Sequence, residues 1–529
     1  MELSKLSDVA RTSAKNSLFL FLGKTSSSFI LALSSIIIAR LLGPENYGLY
    51  SIALIAPSFL VALSDLGISP ALTRFSAQLR ARGEGCKAAH LIKTGITFKL
   101  IFSIVLSLVL LLFSETIATH VFKRPDISVL ICIASLCLVG QAILETVNFV
   151  FLGVDKTEIS ALLMNVHALT KTVTSILLII LGMSVAGATL GDGLGLLIAA
   201  GIGVSIILLR TCSDLHNRSK GDNVDFLQGL RLMVLYGIPL YLSTFISTLI
   251  IQYRSFILAF FVSNLEFGNY AIAMNFTLLI TALSYPVATS LLPAFSKLSI
   301  KQDRESVEKM FRLSVKYTSL LIIPASVALV ILSKDVVHIL YGPQYQLASS
   351  YLAFYALSFL YAGLGNLVIV NLFNGQGDTK STFRIELVSL SLSLPLAPIL
   401  ILFYDVPGLI ASILISALLS TIYALFLALR KYKVSLDWIS SLRIGAASLS
   451  SAVSVYLFLV FIPHSNPVYK LAAGVLFYVI SFLLFAPLTG AVMIEDIVNL
   501  REIISDLGPL TPLFNVPLDL MQKMLKVFR

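Results

Sequence analysis

Charged side chains are scarce in this chain: only 12% of its 529 residues are Asp, Glu, Lys or Arg. A soluble globular protein carries roughly 25%. Together with 57% hydrophobic residues and a mean hydropathy of +0.92, this deficit excludes a soluble protein. Cysteine is sparse too. Cys86, Cys132, Cys137 and Cys212 fall in two predicted helices and two predicted cytoplasmic loops. With no C-x-x-C or Cys/His cluster, neither a disulfide framework nor a zinc site is expected. The sequence has no G-x-x-x-x-G-K-[ST] motif, which excludes a nucleotide-driven motor, and no H-E-x-x-H. No polar stretch is long enough for a glycosyltransferase or protease domain. Gly191-Asp-Gly-Leu-Gly195 is glycine-rich but has no strand before it, so it reads as a small-residue packing surface. No catalytic residue, metal or cofactor is therefore expected. Energy must come from an ion gradient or from the substrate's own gradient.

What the chain does contain is apolar runs, such as 101–113 and 387–403. A helix needs about 20 mainly apolar residues to cross the hydrocarbon core of a bilayer. On that criterion we expect an all-α polytopic membrane protein of about fourteen helices. The segments are 16–39, 47–70, 91–114, 127–152, 157–183, 187–209, 232–262, 268–292, 313–333, 347–373, 382–404, 406–429, 442–462 and 470–487. The apolar segment after the polar arm 1–17 is longer than a signal-peptide core. It runs on into Arg40-Leu-Leu-Gly-Pro without a cleavage pattern, so it is expected to stay as an anchor.

Basic residues orient these segments. With both termini cytoplasmic, 29 of the 38 Lys and Arg fall on the inner side and 5 on the outer side. This is the positive-inside pattern. It accounts for the net charge of +10 without invoking nucleic acid. Lys24, Lys99, Lys171 and Arg254 remain, all within predicted helices.

Displacing the chain by 220 residues aligns 39–78 with 259–298, and 11 of these positions are identical. The match keeps register through a loop, Tyr47-Gly-Leu-Tyr50 against Phe267-Gly-Asn-Tyr270. A lag of six helices is even, so the halves share one orientation, as in transporters built from parallel repeats. The expected organisation is an N-terminal lobe (1–220), a C-terminal lobe (221–430), two additional helices (431–490) and a cytoplasmic amphipathic tail (491–529). The end of that tail has a pattern compatible with an interfacial helix on an anionic inner leaflet.

A charge at mid-membrane costs at least about 2.5–3.5 kcal/mol on insertion scales, so such residues face a bundle interior or a wet cavity. Lys24 lies on a polar stripe with Ser17, Ser28 and Ser35, and Arg254 on one with Ser243 and Ser247. His167, Lys171 and Thr174 share a face, as do Gln141, Glu145 and Asn148. Two bland readings compete: a Lys171–Glu145 ion pair that offsets its own cost, and a Lys99 that snorkels to the inner surface. A cavity with a cationic bias would draw an anion, and the planar fork of Arg suits phosphate. Lys24, Arg254, Lys171 and Lys99 are thus the candidate substrate-binding residues. Asp65, Glu145, Asn148 and His167 are the polar groups available for ion coupling.

Three stretches carry a family resemblance. The first is Asn16-Ser-Leu-Phe-Leu-Phe-Leu-Gly23, then Ala39-Arg-Leu-Leu-Gly-Pro-Glu-Asn-Tyr-Gly-Leu-Tyr50 and Asp65-Leu-Gly-Ile68. The others are Leu340-Tyr-Gly-Pro-Gln-Tyr345 and Phe373-Asn-Gly-Gln-Gly-Asp-Thr379. Together they resemble the polysaccharide and oligosaccharide flippases of the multidrug/oligosaccharidyl-lipid/polysaccharide exporter superfamily. The resemblance implies two six-helix lobes around a cationic cavity, with two added helices offering a groove for a lipid tail. It implies a glycan on a polyprenyl phosphate or diphosphate moved from the inner to the outer leaflet of the cell membrane. Basic residues on the first helix of each lobe would hold the phosphate, which transfers to Lys24 and Arg254 by location. The expected partners are that lipid-linked oligosaccharide, the bilayer, H+ or Na+, and glycan-assembly enzymes, with the protein acting as a monomer. The rivals are an ion-coupled multidrug exporter of the same superfamily and a non-transporting assembly protein.

Overall fold

The computed structural model describes residues 2–217, 225–277, 280, 291, 294–298, 303–461, 466–505 and 511–527. Among them every regular element is helical. In the first half these are α1 (Glu2–Ala53), α2 (Ile55–Asp65), α3 (Ile68–Ala81), α4 (Gly85–Leu112), α5 (Ser128–Gly153), α6 (Thr157–Leu178), α7 (Ser184–Ile206), α8 (Phe226–Phe261) and α9 (Asn264–Asn275). The second half holds α10 (Arg304–Tyr341), α11 (Gln346–Ala356), α12 (Asn366–Gly375), α13 (Thr379–Tyr432), α14 (Trp438–Val460), α15 (Pro467–Leu488), α16 (Ile494–Ser505) and α17 (Thr511–Val527).

Ten of the described helical spans are long and apolar enough to cross a membrane. Three of them, Phe19–Asp65, Thr157–Leu215 and Thr379–Tyr432, run to 47, 59 and 54 residues. At 1.5 Å per residue each is at least about 70 Å long, twice what one crossing needs. Each contains a backbone reversal. Gly43 (φ 75°) stands before Pro44, Gly182 (φ 92°) lies two residues before Ser184 (φ 46°), and Asp405 (φ 50°) precedes Pro407. The loops between paired crossings are thus only a few residues long, and helical backbone continues on both sides. The expected segment 268–292, which includes Pro286, falls largely outside the described residues.

The chain forms two compact units, residues 1–271 and 272–529. In the first, α7 packs against α5 and α6, α6 lies along α1, and α8 lies along α2, α3 and α4. Its core joins Ile68, Leu72, Ile92, Val147, Phe151 and Leu163, all fully or almost fully buried. The whole of α8 belongs to this unit.

α8 is fixed in its first half and at its far end. In the first half Gly67 and Gly237 meet backbone to backbone, so that a Cβ on either would overlap the other. Gly67 also carries φ 81°, part of a break at Leu66–Gly67 that separates α2 from α3. Glycine supplies both the dihedral and the close approach. The Arg74 guanidinium sits 4.2 Å from the Tyr236 ring centre, and Tyr241 donates its hydroxyl hydrogen to the Ala62 carbonyl. At the other end Arg124 donates to the carbonyls of Ala259 and Val262. Those oxygens are among the groups that the last turn of a helix leaves unsatisfied.

In the second unit α10 packs on α11, α14 and α15, and α12 on α13. The tail helices join this unit. Asp496 at the start of α16 accepts from Lys316 Nζ at 2.6 Å, with both side chains largely buried. Leu518 and Met521 of α17 are 6% and 5% exposed, in one cluster with Val492 and Ile497. An interfacial helix would turn that apolar face to lipid; here Leu518 and Met521 are covered by the second unit, where α17 packs on α15 and α16.

Candidate functional site

Within the first unit a cavity of 340 Å³ opens between α1, α2, α5, α6 and α7. Its polar wall is made by Gln141, Glu145 and Asn148 from α5, His167 and Lys171 from α6, and Asp192 from α7. The α5 triplet and the α6 pair arise from helical spacing: positions three, four and seven apart project from one side. Ser27, Ser58 and Cys137 complete the lining.

Lys171 and Asp192 form an ion pair at 2.7 Å. Close helix approach makes this possible. A Cβ on Gly195 would lie 2.8 Å from the Lys171 backbone nitrogen, and one on Gly191 would overlap Ser175. The run Gly191-Asp-Gly-Leu-Gly195 is therefore a packing surface whose one charged residue is delivered to the facing helix. Asp192 also accepts from the Tyr50 hydroxyl at 3.0 Å, and His167 Nε2 lies 3.6 Å from its other oxygen. Tyr50 in turn places its ring 5.9 Å from Lys171 Nζ. In hydrocarbon such a cluster persists only if its charges satisfy one another.

Glu145 accepts from Gln141 at 3.0 Å, and Asn148 from Ser160 at 2.8 Å. Lys171 thus takes Asp192 as its partner rather than Glu145. Lys99 is fully buried and paired with Asp65 at 2.8 Å, with Ser69 donating to the same carboxylate. The ammonium does not reach the inner surface, because Asp65 stands at the α2–α3 break beside it.

The expected residues accordingly divide by location. Lys171, Glu145, Asn148 and His167 line the 340 Å³ cavity; Lys24, Arg254, Lys99 and Asp65 are not part of its lining. Lys24 is exposed on α1, and Arg254 is half-buried on α8. Asp192 and Tyr50 are the participants not singled out as site residues. An acid between two glycines in an apolar run was the available signal for Asp192. Tyr50 carried only the repeat match with Tyr270. No group of three metal-ligating side chains gathers among the described residues.

In the second unit, α10 and α15 frame an apolar groove of 240 Å³ lined by Pro324, Ala328, Val475, Tyr478 and Phe482 among others. At the start of α14, Asp437 accepts from the Ser440 hydroxyl and backbone N–H, at 2.5 and 3.1 Å. Those hydrogen bonds, Ser440's hydroxyl foremost, hold its carboxyl below the usual carboxylate range despite partial burial.

This is a multi-pass helical membrane fold that solved transporters share. A lipid II flippase, MurJ, in an inward closed conformation superposes with a TM-score of 0.71 over 89% of this chain and 98% of that one, at 16% identity. An inward-facing multidrug-resistance transporter of the MATE family superposes at 0.61 over 77% and 94%, at 15% identity. At these identities the likeness establishes the fold. Residues 37–350 match the family described as polysaccharide biosynthesis proteins, and the chain belongs to that family. A relative described as the "probable low-salt glycan biosynthesis flippase Agl15", from Haloferax volcanii, is 24% identical over 166 residues. That match spans 31% of this chain and 35% of the relative.

Proposed function

We propose that the protein is a flippase that carries a polyprenyl-phosphate- or diphosphate-linked oligosaccharide from the cytoplasmic to the outer leaflet by alternating access. The observation that carries this reading is the family match across 37–350 on a fold shared with a lipid II flippase. Both termini lie in the cytoplasm, and the lobes follow the 220-residue repeat. The glycan phosphate is bound by Lys24 and Arg254. These are cations on the first helix of each repeat and lie outside the 340 Å³ cavity. Lys99 and Lys171, held by Asp65 and Asp192, bias the surrounding potential and position the helices that carry them.

The polar cavity around Glu145, Asn148 and His167 is the coupling site for H+ or Na+. It combines a carboxylate, an amide oxygen and an imidazole in a space of 340 Å³, ample for a water-sized guest. The apolar groove between α10 and α15 accommodates part of the polyprenyl tail. Glycan-assembly enzymes are its working partners, and the transporting unit is one chain.

The test is complementation of a glycan-assembly defect by Lys24→Ala and Arg254→Ala, with membrane levels measured. Loss of surface glycan at normal protein levels is expected for each variant. Normal glycan display from both would remove these residues from the site. An unimpaired glycan phenotype together with altered drug resistance would favour the multidrug-exporter reading.

A further inference from the structure

Lys24 is exposed on α1, so the course of that helix sets where its long side chain starts. α1 follows α6 in the same direction: Asn16 meets Thr157, and Gly23, about two turns on, meets Ala161 and Asn165. At Gly23 the backbones touch. A Cβ there would stand 2.3 Å from the Cβ of Ala161 and 2.6 Å from its Cα. Asn165, one turn further along α6, fastens both helices with a single nitrogen. Its Nδ2 donates to the Gly23 carbonyl at 3.3 Å and to the Ala161 carbonyl at 2.8 Å. An amide nitrogen carries two hydrogens, so both bonds stand at once; a serine hydroxyl would have one.

At Asn16 a second amide is used on both sides. Its Nδ2 donates to Asp155 Oδ1 at 3.1 Å, and its Oδ1 accepts from the Thr157 hydroxyl at 3.1 Å. The other oxygen of Asp155 accepts from Arg80. Asp155 holds φ 56°, where the matching turn of the second repeat has Gly377 at φ 74°. A carboxylate kept at a dihedral that favours glycine marks a position where the side chain is needed.

Helical spacing then decides which way Lys24 leaves. Gly23, Ser27 and Ser34 are buried along the seam with α6, and Lys24 stands about 100° round the helix from Gly23. Ser27 and Leu31, three and seven residues on, share its flank, and both line the 340 Å³ cavity. Lys24 thus lies one turn before the cavity lining, on the same side of α1.

We infer that Asn165 is a positioning residue for substrate capture: by holding the Gly23 carbonyl it sets the angle at which Lys24 meets the phosphate. The inference rests on the flippase reading and on Lys24 as a phosphate ligand. Asn165 is not part of the cavity lining and acts through α1. The contact of Gly23 with Ala161 keeps the two helices together but is non-directional. A hydrogen bond to one carbonyl is directional and fixes the rotation of α1 about its own axis.

The test removes the donor and reads Lys24 in two ways. In a background lacking the four native cysteines, the Lys24→Cys thiol is titrated with a cationic methanethiosulfonate reagent. Asn165→Ala is expected to change that rate severalfold. Asn165→Asp, which keeps the shape and removes both amide hydrogens, is expected to change it too. Leu162→Ala, on the exposed side of α6, leaves it near its starting value. In liposomes carrying a fluorescent polyprenyl-diphosphate oligosaccharide, Asn165→Ala is expected to raise the half-saturating substrate concentration severalfold with little change in maximal rate. A thiol rate that neither Asn165 variant alters overturns the inference. So does a fall in maximal rate at an unchanged half-saturating concentration, which would make Asn165 a packing residue only. The thiol rate is read without substrate. Wild-type protein that fails to flip, while the Asn165 variants still shift the thiol rate, therefore counts against the flippase reading instead.

Discussion

Replacing Lys171 by Met would leave Asp192 in the apolar interior of the first unit with the Tyr50 hydroxyl at 3.0 Å and His167 at 3.6 Å as its remaining polar neighbours. Breaking a buried ion pair by removing one partner costs about 3–5 kcal/mol, because the other charge is left uncompensated. For a unit of this size each kcal/mol shifts the melting temperature by roughly 2–4 °C, so Lys171→Met should melt on the order of 10 °C below wild type. The double substitution Lys171→Met, Asp192→Asn removes the stranded charge and should recover most of that loss, giving a strongly non-additive cycle. The assay is thermal unfolding of detergent-solubilised protein followed by size-exclusion fluorescence for wild type, both single variants and the double variant. A Lys171→Met protein within about 2 °C of wild type, or a double variant no better than the single ones, would refute the claim that the pair joins α6 to α7.

Two further outcomes are expected. Arg124→Ala deprives the end of α8 of its donor to Ala259 and Val262 and should cost about 1.5–3 kcal/mol, the range for charge-assisted hydrogen bonds. Arg124→Lys should recover part of this, and differential unfolding of the two variants is the measurement. Asp437 has its carboxyl held below the ordinary value by Ser440, so its contribution is fully present above about pH 4 and is lost as pH falls through the folded value. Asp437→Ala should therefore lower stability by about 0.5–2 kcal/mol at pH 7, while the difference from wild type shrinks under acid, as read by unfolding across a pH series.

Much of the fold was legible in the residues because membrane insertion is an unforgiving filter. The two long apolar runs lie in helices, and Gly43-Pro44 becomes the reversal between the first two expected segments, 16–39 and 47–70. The 220-residue lag proved informative in a more physical way. The matched glycines Gly48 and Gly268 touch, which explains why register persists through a loop where an ordinary helix match would drift. The site was harder to read. Lys171 and Asp192 are 21 residues apart on facing helices, and their meeting depends on how closely Gly191 and Gly195 let the backbones approach. Helix spacing assigns Lys171 to a face but says nothing about which facing helix comes nearest. Lys99 and Asp65 are likewise joined by the Leu66–Gly67 break, a feature of backbone dihedrals rather than of hydropathy. The tail helix α17 carried a genuine amphipathic pattern, but that pattern cannot distinguish a bilayer from the apolar flank of the same protein.

Purified protein reconstituted into liposomes with a fluorescent polyprenyl-diphosphate oligosaccharide in both leaflets tests the central claim most directly. The account predicts that wild-type protein exposes inner-leaflet substrate to an impermeant quencher far faster than protein-free liposomes do. It further predicts that the Lys24→Ala, Arg254→Ala double variant, inserted at equal density, falls back towards the protein-free rate. Wild-type liposomes indistinguishable from empty ones, or a double variant that flips as fast as wild type, would contradict it.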